Sequence, residues 1–407
     1  GRDDLLCRLL FPGRKIEEAL HAVLARPERY RQALNYGEPQ GSNNLIHSIK
    51  DFYRRCHIGG LPGKVLEKTE VVIGPSGITS LLEALAQVLP RGIVITTDPM
   101  YYIYCHVLER MGFEILAVPE DEEGIRMDRL AEKVKRLGVR KKEIQFLYIV
   151  TINNPTCTIL SNRRRRQIVE WAFKLSAEEG RSIPVFFDKA YEEIIHDPRA
   201  EKPQSALSYD GQGIVYELGS LSKILAPALR IGYMMGPASA FLQAVRQRIN
   251  DVGFSAPMIT QEISSYLLDH CIEEQLAKVI AGYREKAVAV RRWIEEYLGE
   301  FLAECRGGQA GFYYYLTFAA METTEGSPFF RFASRTTGNR VLDREGEALR
   351  PRAIYIPGEI CVHSKGDLAA IGKRQLRMSY GFEELEGIEK AIKILRDAAL
   401  YARKERE

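Results

Sequence analysis

The chain has 407 residues, of which 45% are hydrophobic and 27% charged, and its 57 basic and 54 acidic residues give a net charge of +3. This composition is typical of a soluble globular protein and argues against a disordered or fibrous chain, and the charge balance gives nucleic-acid binding no support. The length predicts two structural units or one large domain with a satellite.

Short apolar, often β-branched segments recur between residues 70 and 236, and segments with helical periodicity separate most of them. Strands that are nearly all apolar and alternate with helices predict a buried, mainly parallel sheet with helices on both faces. The predicted strands are VVI at Val71, IVIT at Ile93, EILAV at Glu114, QFLYIV at Gln145, VFFD at Val185, IVYEL at Ile214 and IGYMMG at Ile231. The four arginines at 163–166 begin a predicted helix, where we expect a solvated face.

After about Gly282 the pattern changes to long charged helices, a strand-like FYYYLTF and a final helix from Glu384. Together with the helical N-terminal segment IEEALHAVLARP, this mixture predicts a smaller α+β domain assembled from both chain ends. We therefore predict an N-terminal segment (1–45) that joins the small domain, a large domain (46–282) and a C-terminal small domain (283–407).

The seven cysteines are scattered and never form a CxxC pair, which argues against a disulfide framework or a zinc site. The histidines show no ligand spacing, so we predict no metal site. No apolar run approaches the roughly 20 residues that span a bilayer, and the N-terminal LLCRLLF is interrupted by Arg8. We expect reduced thiols, no membrane partner and a cytoplasmic location.

Three segments that follow predicted strands are candidates for ligand binding. The loop GPSGITS, residues 74–80, opens a helix whose N-H groups would suit a phosphate, although an ordinary capped turn has the same character. Asn153, Asn154 and Asp188 end strands, where parallel sheets form their ligand crevice, although turn and cap roles are open alternatives. The nearby GGLPGK at Gly59 lacks the spacing of a nucleotide-binding loop, which argues against nucleotide hydrolysis.

The stretch GSLSKILAPALRIGY places Lys223 between small hydroxyl residues and an apolar, proline-containing turn, with Arg230 seven positions later. These neighbours predict a partly desolvated amine, and desolvation lowers the pKa of a lysine. A pyridoxal phosphate enzyme needs a lysine for the aldehyde, a carboxylate for the pyridine nitrogen, donors for the phenolic oxygen and a phosphate cup. Each of these parts has a candidate in the chain.

In these motifs the chain resembles a fold type I pyridoxal phosphate-dependent enzyme of the class I/II aminotransferase family. The resemblance runs from YGEPQG at Tyr36 to LRMSYGF ending at Phe382, with six motifs in the family's order. It implies an α/β fold with a large domain, whose mostly parallel seven-stranded sheet is flanked by helices, and a smaller α+β domain.

The resemblance also implies a role for each residue around the cofactor ring. Lys223 would hold the aldehyde as a Schiff base and act as general base. Asp188 would partner the pyridine nitrogen, and Tyr101 would stack on the ring. Asn154 and Tyr191 would hydrogen-bond the phenolic oxygen.

Further residues would hold the phosphate and the substrate by the same resemblance. Arg377, with Asn154, would bind the substrate α-carboxylate, a task that suits a planar guanidinium. Tyr36 would reach the phosphate of the neighbouring subunit, which implies a homodimer. The phosphate contacts in the same subunit would come from Gly77, Ile78, Thr79, Ser220 and Arg230.

The chain departs from the family pattern at three places. Cys157 stands where the family's NPTG turn has a glycine, so we expect strain at a position that tolerates positive φ. Ala228 replaces a common glycine before the Leu-Arg pair. The family's early Gly-x-Pro segment, which closes over the substrate, has no match before Phe11.

We therefore predict a pyridoxal phosphate-dependent aminotransferase that moves the amino group of an α-amino acid to a 2-oxo acid, with neither substrate identified. Other reactions on the same fold stay open: β-elimination such as a C-S lyase, decarboxylation and oxidative deamination. A further alternative is the aminotransferase-like sensor half of a transcription regulator. We disfavour it because only 35 residues precede Tyr36, too few for a winged-helix domain.

Overall fold

An eight-stranded sheet forms the centre of the structure. The computed structural model describes residues 12–405, so LLCRLLF, Cys7 and the region before Phe11 lie outside the described residues. The strands of the large sheet are β1 (Glu70–Ile73), β2 (Ile93–Asp98), β3 (Glu114–Asp121), β4 (Gly124–Ile125), β5 (Ile144–Val150), β6 (Val185–Asp188), β7 (Val215–Ser220) and β8 (Gly232–Gly236).

The strand order is β1-β8-β7-β6-β5-β2-β3-β4. Strands β7, β6, β5, β2 and β3 run parallel, whereas β8 is antiparallel to both of its neighbours and β4 is antiparallel to β3. The mostly parallel sheet and all seven predicted strands are confirmed, but the count of seven is wrong. The additional strand β4 has two residues, too few to show a periodicity in sequence.

Helices cover both faces of the large sheet. Neighbouring strand residues such as Phe186 and Phe187 belong to different hydrophobic clusters, because successive side chains of a strand point to opposite faces. The helices of this part are α1 (Gly13–Leu24), α2 (Pro27–Ala33), α3 (Asn43–Arg55), α4 (Gly63–Lys68), α5 (Gly77–Val88), α6 (Tyr102–Arg110), α7 (Met127–Leu137), α8 (Asn162–Glu179), α9 (Ala240–Gly253) and α10 (Met258–His270).

A second sheet of four strands, in the order β13-β14-β10-β9, is antiparallel throughout. Its strand β10 is the predicted FYYYLTF strand, and the final helix begins one residue after Glu384, as predicted. The elements of this part are α11 (Ile272–Leu298), β9 (Leu302–Gly307), β10 (Tyr313–Phe318), α12 (Pro328–Ser334), α13 (Arg340–Asp343), β11 (Arg344–Glu345), β12 (Ala348–Leu349), β13 (Ile356–Pro357), α14 (Gly358–Cys361), α15 (Ala369–Gly372), β14 (Gln375–Ser379) and α16 (Leu385–Lys404).

The division into residues 1–45, 46–282 and 283–407 stays a prediction. In the described residues, α1 and α2 pack against α10, a helix of the predicted large domain. The long helix α11 crosses the predicted boundary at residue 282 and packs against α16. No helix in this part of the chain combines the length and hydropathy needed to cross a membrane.

The expectation of a solvated face at residues 163–166 is wrong for two of the four arginines. Arg164 is buried, and its guanidinium donates hydrogen bonds to the Gly124 carbonyl (3.0 Å) and to Asp121 (3.0 Å). Arg165 is fully buried and donates to Glu192 at 2.8 Å. The sequence shows that a helix starts here, but not that this turn of α8 packs against other charged segments.

The buried Arg165–Glu192 pair predicts a measurable contribution to stability. Arg165→Met leaves the Glu192 carboxylate with Lys189 as its remaining cation, at 3.3 Å, and an incompletely paired buried charge is costly. We expect the free energy of unfolding, measured by urea denaturation, to fall by about 3 kcal/mol.

Arg163→Met is the matched control. The Arg163 side chain is 63% exposed in its ion pair with Glu123, and exposed pairs contribute about 0–1 kcal/mol. Equal losses for the two variants would contradict the assignment of a stabilising role to the buried pair.

Candidate active site

A cavity of about 150 Å³ lies at the carboxyl ends of β5, β6 and β7, beside the start of α5. This is the position where parallel sheets form ligand crevices. Nine of the residues predicted from the sequence line it: Ile78, Thr79, Tyr101, Asn154, Asp188, Tyr191, Ser220, Lys223 and Arg230. Gly77 and Arg377 contact lining residues, whereas Tyr36 lies elsewhere.

One end of the cavity is suited to an anion. Helix α5 begins at Gly77, and the N-H groups of its first turn have no partner within the helix. The Arg230 guanidinium donates to the Ser76 carbonyl (3.0 Å) and to the Ser76 hydroxyl (3.3 Å). Gly77 has φ +67°, and a Cβ there would come within 2.9 Å of Arg230 Nη2. The glycine therefore allows the guanidinium to lie against the helix start.

The Ser220 hydroxyl lies beside this anion-binding end. It accepts a hydrogen bond from the Ser222 N-H at 3.1 Å, and Ser222 also lines the cavity. The sequence reasoning named Ser220 but missed Ser222, although both belong to the SLSK motif. Two small hydroxyl residues before Lys223 are the signal that would have found it.

The Lys223 amine lies over two aromatic faces. Its Nζ is 5.6 Å from the ring centres of Tyr191 and Phe312, and none of the ion pairs in residues 12–405 includes it. Burial, followed by the positive charges of Arg230 and Arg377, lowers the pKa of Lys223, while the Asp188 charge opposes that shift. A lysine with a lowered pKa is a better nucleophile and base near neutral pH.

Asp188 places a buried carboxylate at the end of β6, where it is only 4% exposed. Its Oδ2 accepts a hydrogen bond from the Tyr148 hydroxyl (2.7 Å), and its Oδ1 accepts one from the Ala190 N-H (3.0 Å). Burial raises the pKa of Asp188, while these two hydrogen bonds and the Lys223 charge lower it in part. A bound cation would favour the ionised carboxylate further.

Arg377 reaches the site from the second sheet. Its Nη1 donates to Asn154 Oδ1 at 2.7 Å, and its guanidinium lies 4.4 Å from the centre of the Tyr313 ring. The hydroxyls of Tyr191 and Tyr313 are hydrogen-bonded at 3.0 Å. The second sheet thus holds a cation and an aromatic ring against Asn154 and Tyr191, which lie in the segments that follow β5 and β6 of the large sheet.

Tyr101 and Tyr36 differ in placement. Tyr101 lines the cavity, and burial, followed by the Asp188 charge, raises the pKa of its hydroxyl to about 12. Tyr36 is 80% exposed and packs on Phe254, with 5.1 Å between ring centres. Within one chain, therefore, the structure does not bring Tyr36 to the cavity.

Tyr148 was not recognised from the sequence. It lies on β5 opposite Phe186 of β6, so its side chain shares a face of the sheet with Asp188, two residues beyond Phe186. This relation depends on the register between two strands that are far apart in the chain. No motif in the sequence carries that information.

Two departures from the family pattern have clear structural consequences. Cys157 adopts φ +54°, as a glycine turn would, and its side chain is buried. The expected strain is present, because a side chain at positive φ is disfavoured. Ala228 lies in the 3₁₀ turn Pro227–Leu229, and Arg230 rather than Ala228 takes the positive φ of +54°. The backbone does not require a glycine at position 228.

The residues fit a group that carries an aldehyde, a basic ring nitrogen, a phenolic oxygen and a phosphate. The cavity supplies an amine, a buried carboxylate, amide and hydroxyl donors, and an anion-binding helix start. Residues 12–405 hold no group of three or more His, Cys, Asp or Glu side chains that could bind a metal ion. The amine, the carboxylate and the anion-binding helix start match the parts that pyridoxal phosphate needs.

The fold and this site define a fold type I pyridoxal phosphate-dependent enzyme. Residues 10–350 match the family described as aminotransferase class I and II, and the chain belongs to that family. The predictions of an aminotransferase and of pyridoxal phosphate as its cofactor are confirmed.

Curated relatives of two kinds resemble the chain. The 2-aminoadipate transaminase of Thermus thermophilus is 27% identical over 396 residues, covering 95% of this chain and 86% of that protein. The uncharacterized HTH-type transcriptional regulator YisV of Bacillus subtilis is 26% identical over 373 residues, covering 90% of this chain and 67% of that protein.

A solved structure supports the fold. The kynurenine aminotransferase of Pyrococcus horikoshii, in a complex with pyridoxamine phosphate, superposes with a TM-score of 0.81 at 20% identity. The superposition covers 98% of this chain and 90% of that one. At this identity the likeness shows a shared fold.

The hydrogen bond from Tyr148 to Asp188 predicts a change in pH dependence. Tyr148→Phe removes a donor that lowers the pKa of Asp188, so the carboxyl is protonated over a wider acidic range. We expect the acidic limb of kcat/KM against pH to move to higher pH and kcat/KM on that limb to fall roughly tenfold, the size expected for one hydrogen bond to a charged group.

Tyr104→Phe is the matched control. Tyr104 lies beside Tyr148, with 4.8 Å between ring centres, and within the described residues its buried hydroxyl has no hydrogen-bond partner. We expect its pH profile to match that of the wild type. A Tyr148→Phe profile equal to the Tyr104→Phe profile would contradict the role given to Tyr148.

Proposed function

We propose that this chain moves the amino group of an α-amino acid to a 2-oxo acid, with pyridoxal phosphate held covalently by Lys223. The observation that carries the proposal is the meeting, in one cavity, of the Lys223 amine, the buried Asp188 carboxylate and the anion-binding start of α5. Arg377 adds a guanidinium that is suited to a substrate α-carboxylate.

The cofactor end of the proposal assigns one task to each group. When bound, pyridoxal phosphate supplies an electron-withdrawing ring that acidifies the substrate Cα-H. Asp188 would hold a proton on the pyridine nitrogen, and Asn154 with Tyr191 would hydrogen-bond the phenolic oxygen. Tyr101 would lie against the ring face. The phosphate would be bound by Gly77, Ile78, Thr79, Ser220 and Arg230.

The substrate end relies on Arg377 and Lys223. The Arg377 guanidinium would bind the α-carboxylate, and its hydrogen bond to Asn154 orients it. This orientation would bring the substrate Cα-H toward the Lys223 amine. Lys223, released once the substrate amine has taken its place on the cofactor aldehyde, would remove the proton as general base. The lowered pKa of Lys223 keeps a larger fraction of the amine unprotonated and ready for that step.

Other reactions of the same cofactor are separated from transamination by the need for an acceptor. An amino acid alone should convert the bound cofactor once, and repeated turnover should require a stoichiometric 2-oxo acid. β-Elimination, decarboxylation and oxidative deamination proceed without that acceptor. Sustained turnover of an amino acid in its absence would favour one of these reactions instead.

A transcription-regulator role is a second hypothesis, because YisV matches most of the chain. A sensor would need to bind the cofactor and a ligand but not to turn over repeatedly. Repeated turnover with an acceptor, together with no gel-mobility shift of DNA, would favour the enzyme. A mobility shift without turnover would favour the regulator.

We also propose a homodimer with shared sites. Exposed apolar side chains gather where residues 34–37 meet residues 252–255, and exposed apolar patches mark interfaces. They are Leu34, Tyr36, Val252 and Phe254. A cytoplasmic location is proposed as well, supported by the six described cysteines, which are all free thiols.

Lys223→Ala tests the proposal directly. Without its amine the protein should lose the absorbance of the lysine-bound cofactor, and turnover should fall by about 10²- to 10⁴-fold, the range of general-base catalysis. Lys64→Ala, at an exposed lysine of α4, is the control and should behave as the wild type. Full turnover in Lys223→Ala would contradict the mechanism.

Tyr36→Phe tests the shared site. If Tyr36 donates a hydrogen bond to the partner's cofactor phosphate, its loss should weaken pyridoxal phosphate binding roughly tenfold. Mixed dimers of Tyr36→Phe and Lys223→Ala chains should then regain one site of wild-type affinity. A monomer in sedimentation velocity, or unchanged binding by Tyr36→Phe, would contradict the shared site.

A further inference from the structure

Glu120, at the end of β3, is a buried carboxylate with an unusually full set of partners. Its side chain is 1% exposed. Its Oε1 accepts from the hydroxyls of Thr156 (2.6 Å) and Thr158 (3.0 Å), and its Oε2 accepts from the Asn153 amide (2.8 Å). Arg306 Nη2 lies 3.2 Å from Oε1. Three of these four partners belong to the single loop 153–158.

That loop carries Asn154, and its conformation is strained. Cys157 takes φ +54° without being a glycine, and the Cys157 N-H bonds the Asn153 carbonyl at 2.7 Å to close the turn. Asn153 Nδ2 also donates to the Pro99 carbonyl at 2.9 Å. Glu120 therefore holds both ends of a tight turn that lacks its usual glycine. Through Asn153 the same turn contacts the segment that carries Tyr101.

Two arginines from the second sheet reach the same loop. Arg306 on β9 and Arg377 on β14 both stand opposite Tyr315 of β10, in one row across the sheet. Arg306 Nη2 donates to the Thr158 hydroxyl at 2.6 Å, and Arg377 Nη1 donates to Asn154 Oδ1 at 2.7 Å. One row of the second sheet thus contacts the two ends of the loop.

A charged side chain at position 120 can fix the loop 153–158 relative to Arg306 in a way that an apolar side chain cannot. A buried ion pair is often no more stabilising than apolar residues of the same volume, but it fixes geometry, because each lone pair needs its donor. An apolar residue would fill the space without orienting Thr156, Thr158 and Asn153. The hydrogen bonds of Glu120 are therefore suited to fixing the position of the loop 153–158.

We propose that Glu120, together with Arg306, is a positioning residue for Asn154. Through these two residues, the position of the second sheet would determine where the Asn154 amide meets the cofactor and the substrate. Because Asn154 Oδ1 accepts from Arg377, its Nδ2 is left free to donate, and it would donate to the phenolic oxygen of the cofactor. This inference rests on the proposed function, since it takes pyridoxal phosphate as the group that Asn154 contacts.

Glu120→Gln tests the inference, because it keeps the size of the side chain but replaces an acceptor oxygen by an NH₂ group and removes the charge that faces Arg306. The displaced Asn154 would no longer donate to the phenolic oxygen, which would then carry more negative charge. That charge would hold a proton more strongly on the Lys223 nitrogen that carries the cofactor, because this nitrogen lies beside the phenolic oxygen. We expect the pH midpoint of the absorbance change of the lysine-bound cofactor to move up.

Two further readouts separate positioning from a loss of folding. kcat should fall by up to roughly 10²-fold, the size expected for a small misplacement of a reacting group, with a smaller change in KM. The far-ultraviolet circular dichroism of the apo-protein should stay that of the wild type. Glu123→Gln is the matched control, because Glu123 pairs with Arg163 and Arg164 of α8, and it should leave the midpoint unchanged.

Thr158→Val is the second variant, for the case in which Glu120→Gln does not fold. It keeps the shape of the side chain but removes the hydroxyl between Glu120 and Arg306, and it should move the midpoint in the same direction by a smaller amount. Glu120→Asp keeps the charge and should restore part of the wild-type kcat.

The outcomes distinguish this inference from the proposed function. Wild-type protein that binds no pyridoxal phosphate at Lys223 would overturn both. Wild-type protein with the cofactor on Lys223, and a folded Glu120→Gln with an unchanged midpoint and kcat, would overturn the positioning role alone. An unfolded Glu120→Gln with a Thr158→Val indistinguishable from wild type would also overturn it.

Discussion

The buried carboxylate of Asp188 is the constraint on which the rest of the site depends. A carboxylate at 4% exposure is costly unless donors and a positive charge surround it. Tyr148 and the Ala190 N-H supply the donors, and the nearby Lys223 lowers the pKa of Asp188 in part. A protonated pyridine nitrogen would complete this set, which explains why a cofactor with such a ring suits the cavity.

Strand order in the large sheet places the remaining groups around Asp188. β5 and β7 are the two neighbours of β6. The segment after β5 therefore carries Asn154 to one side of Asp188, and the end of β7 with the segment after it carries Ser220 and Lys223 to the other. β8 turns back beside β1, and its approach brings Arg230 against the start of α5. Residues from motifs that are far apart in the sequence thereby line a single cavity.

The second sheet and the residue before its strand β10 supply the aromatic and guanidinium groups on one side of the site. Phe312 and Tyr313 form an aromatic wall over Lys223 and Tyr191, while Arg306 and Arg377 reach the two ends of the loop that carries Asn154. In the proposed function, the contacts of the cofactor and of the substrate carboxylate would therefore depend on how the two sheets are packed. Substitutions at the contact between the sheets should alter catalysis without touching the cofactor.

The sequence predicted what local patterns encode and missed what depends on packing. Apolar runs predicted seven strands that the structure contains. Short motifs singled out Lys223, Asp188 and Asn154, which line one cavity, because strand ends and glycine turns have local signatures. The two-residue strand β4 has no such signature. The burial of Arg165 and the ties of Tyr148 to Asp188 were also beyond local patterns, because they arise from strand register and from the side on which a helix packs.

The most direct measurement of the central claim is chemical mapping of the lysine that holds the cofactor. Protein loaded with pyridoxal phosphate is reduced with borohydride, digested and analysed by mass spectrometry for the pyridoxyl group. The account predicts one stoichiometric adduct, on Lys223. An adduct on the other buried lysine of this region, Lys189, or no stoichiometric adduct at all, would contradict it.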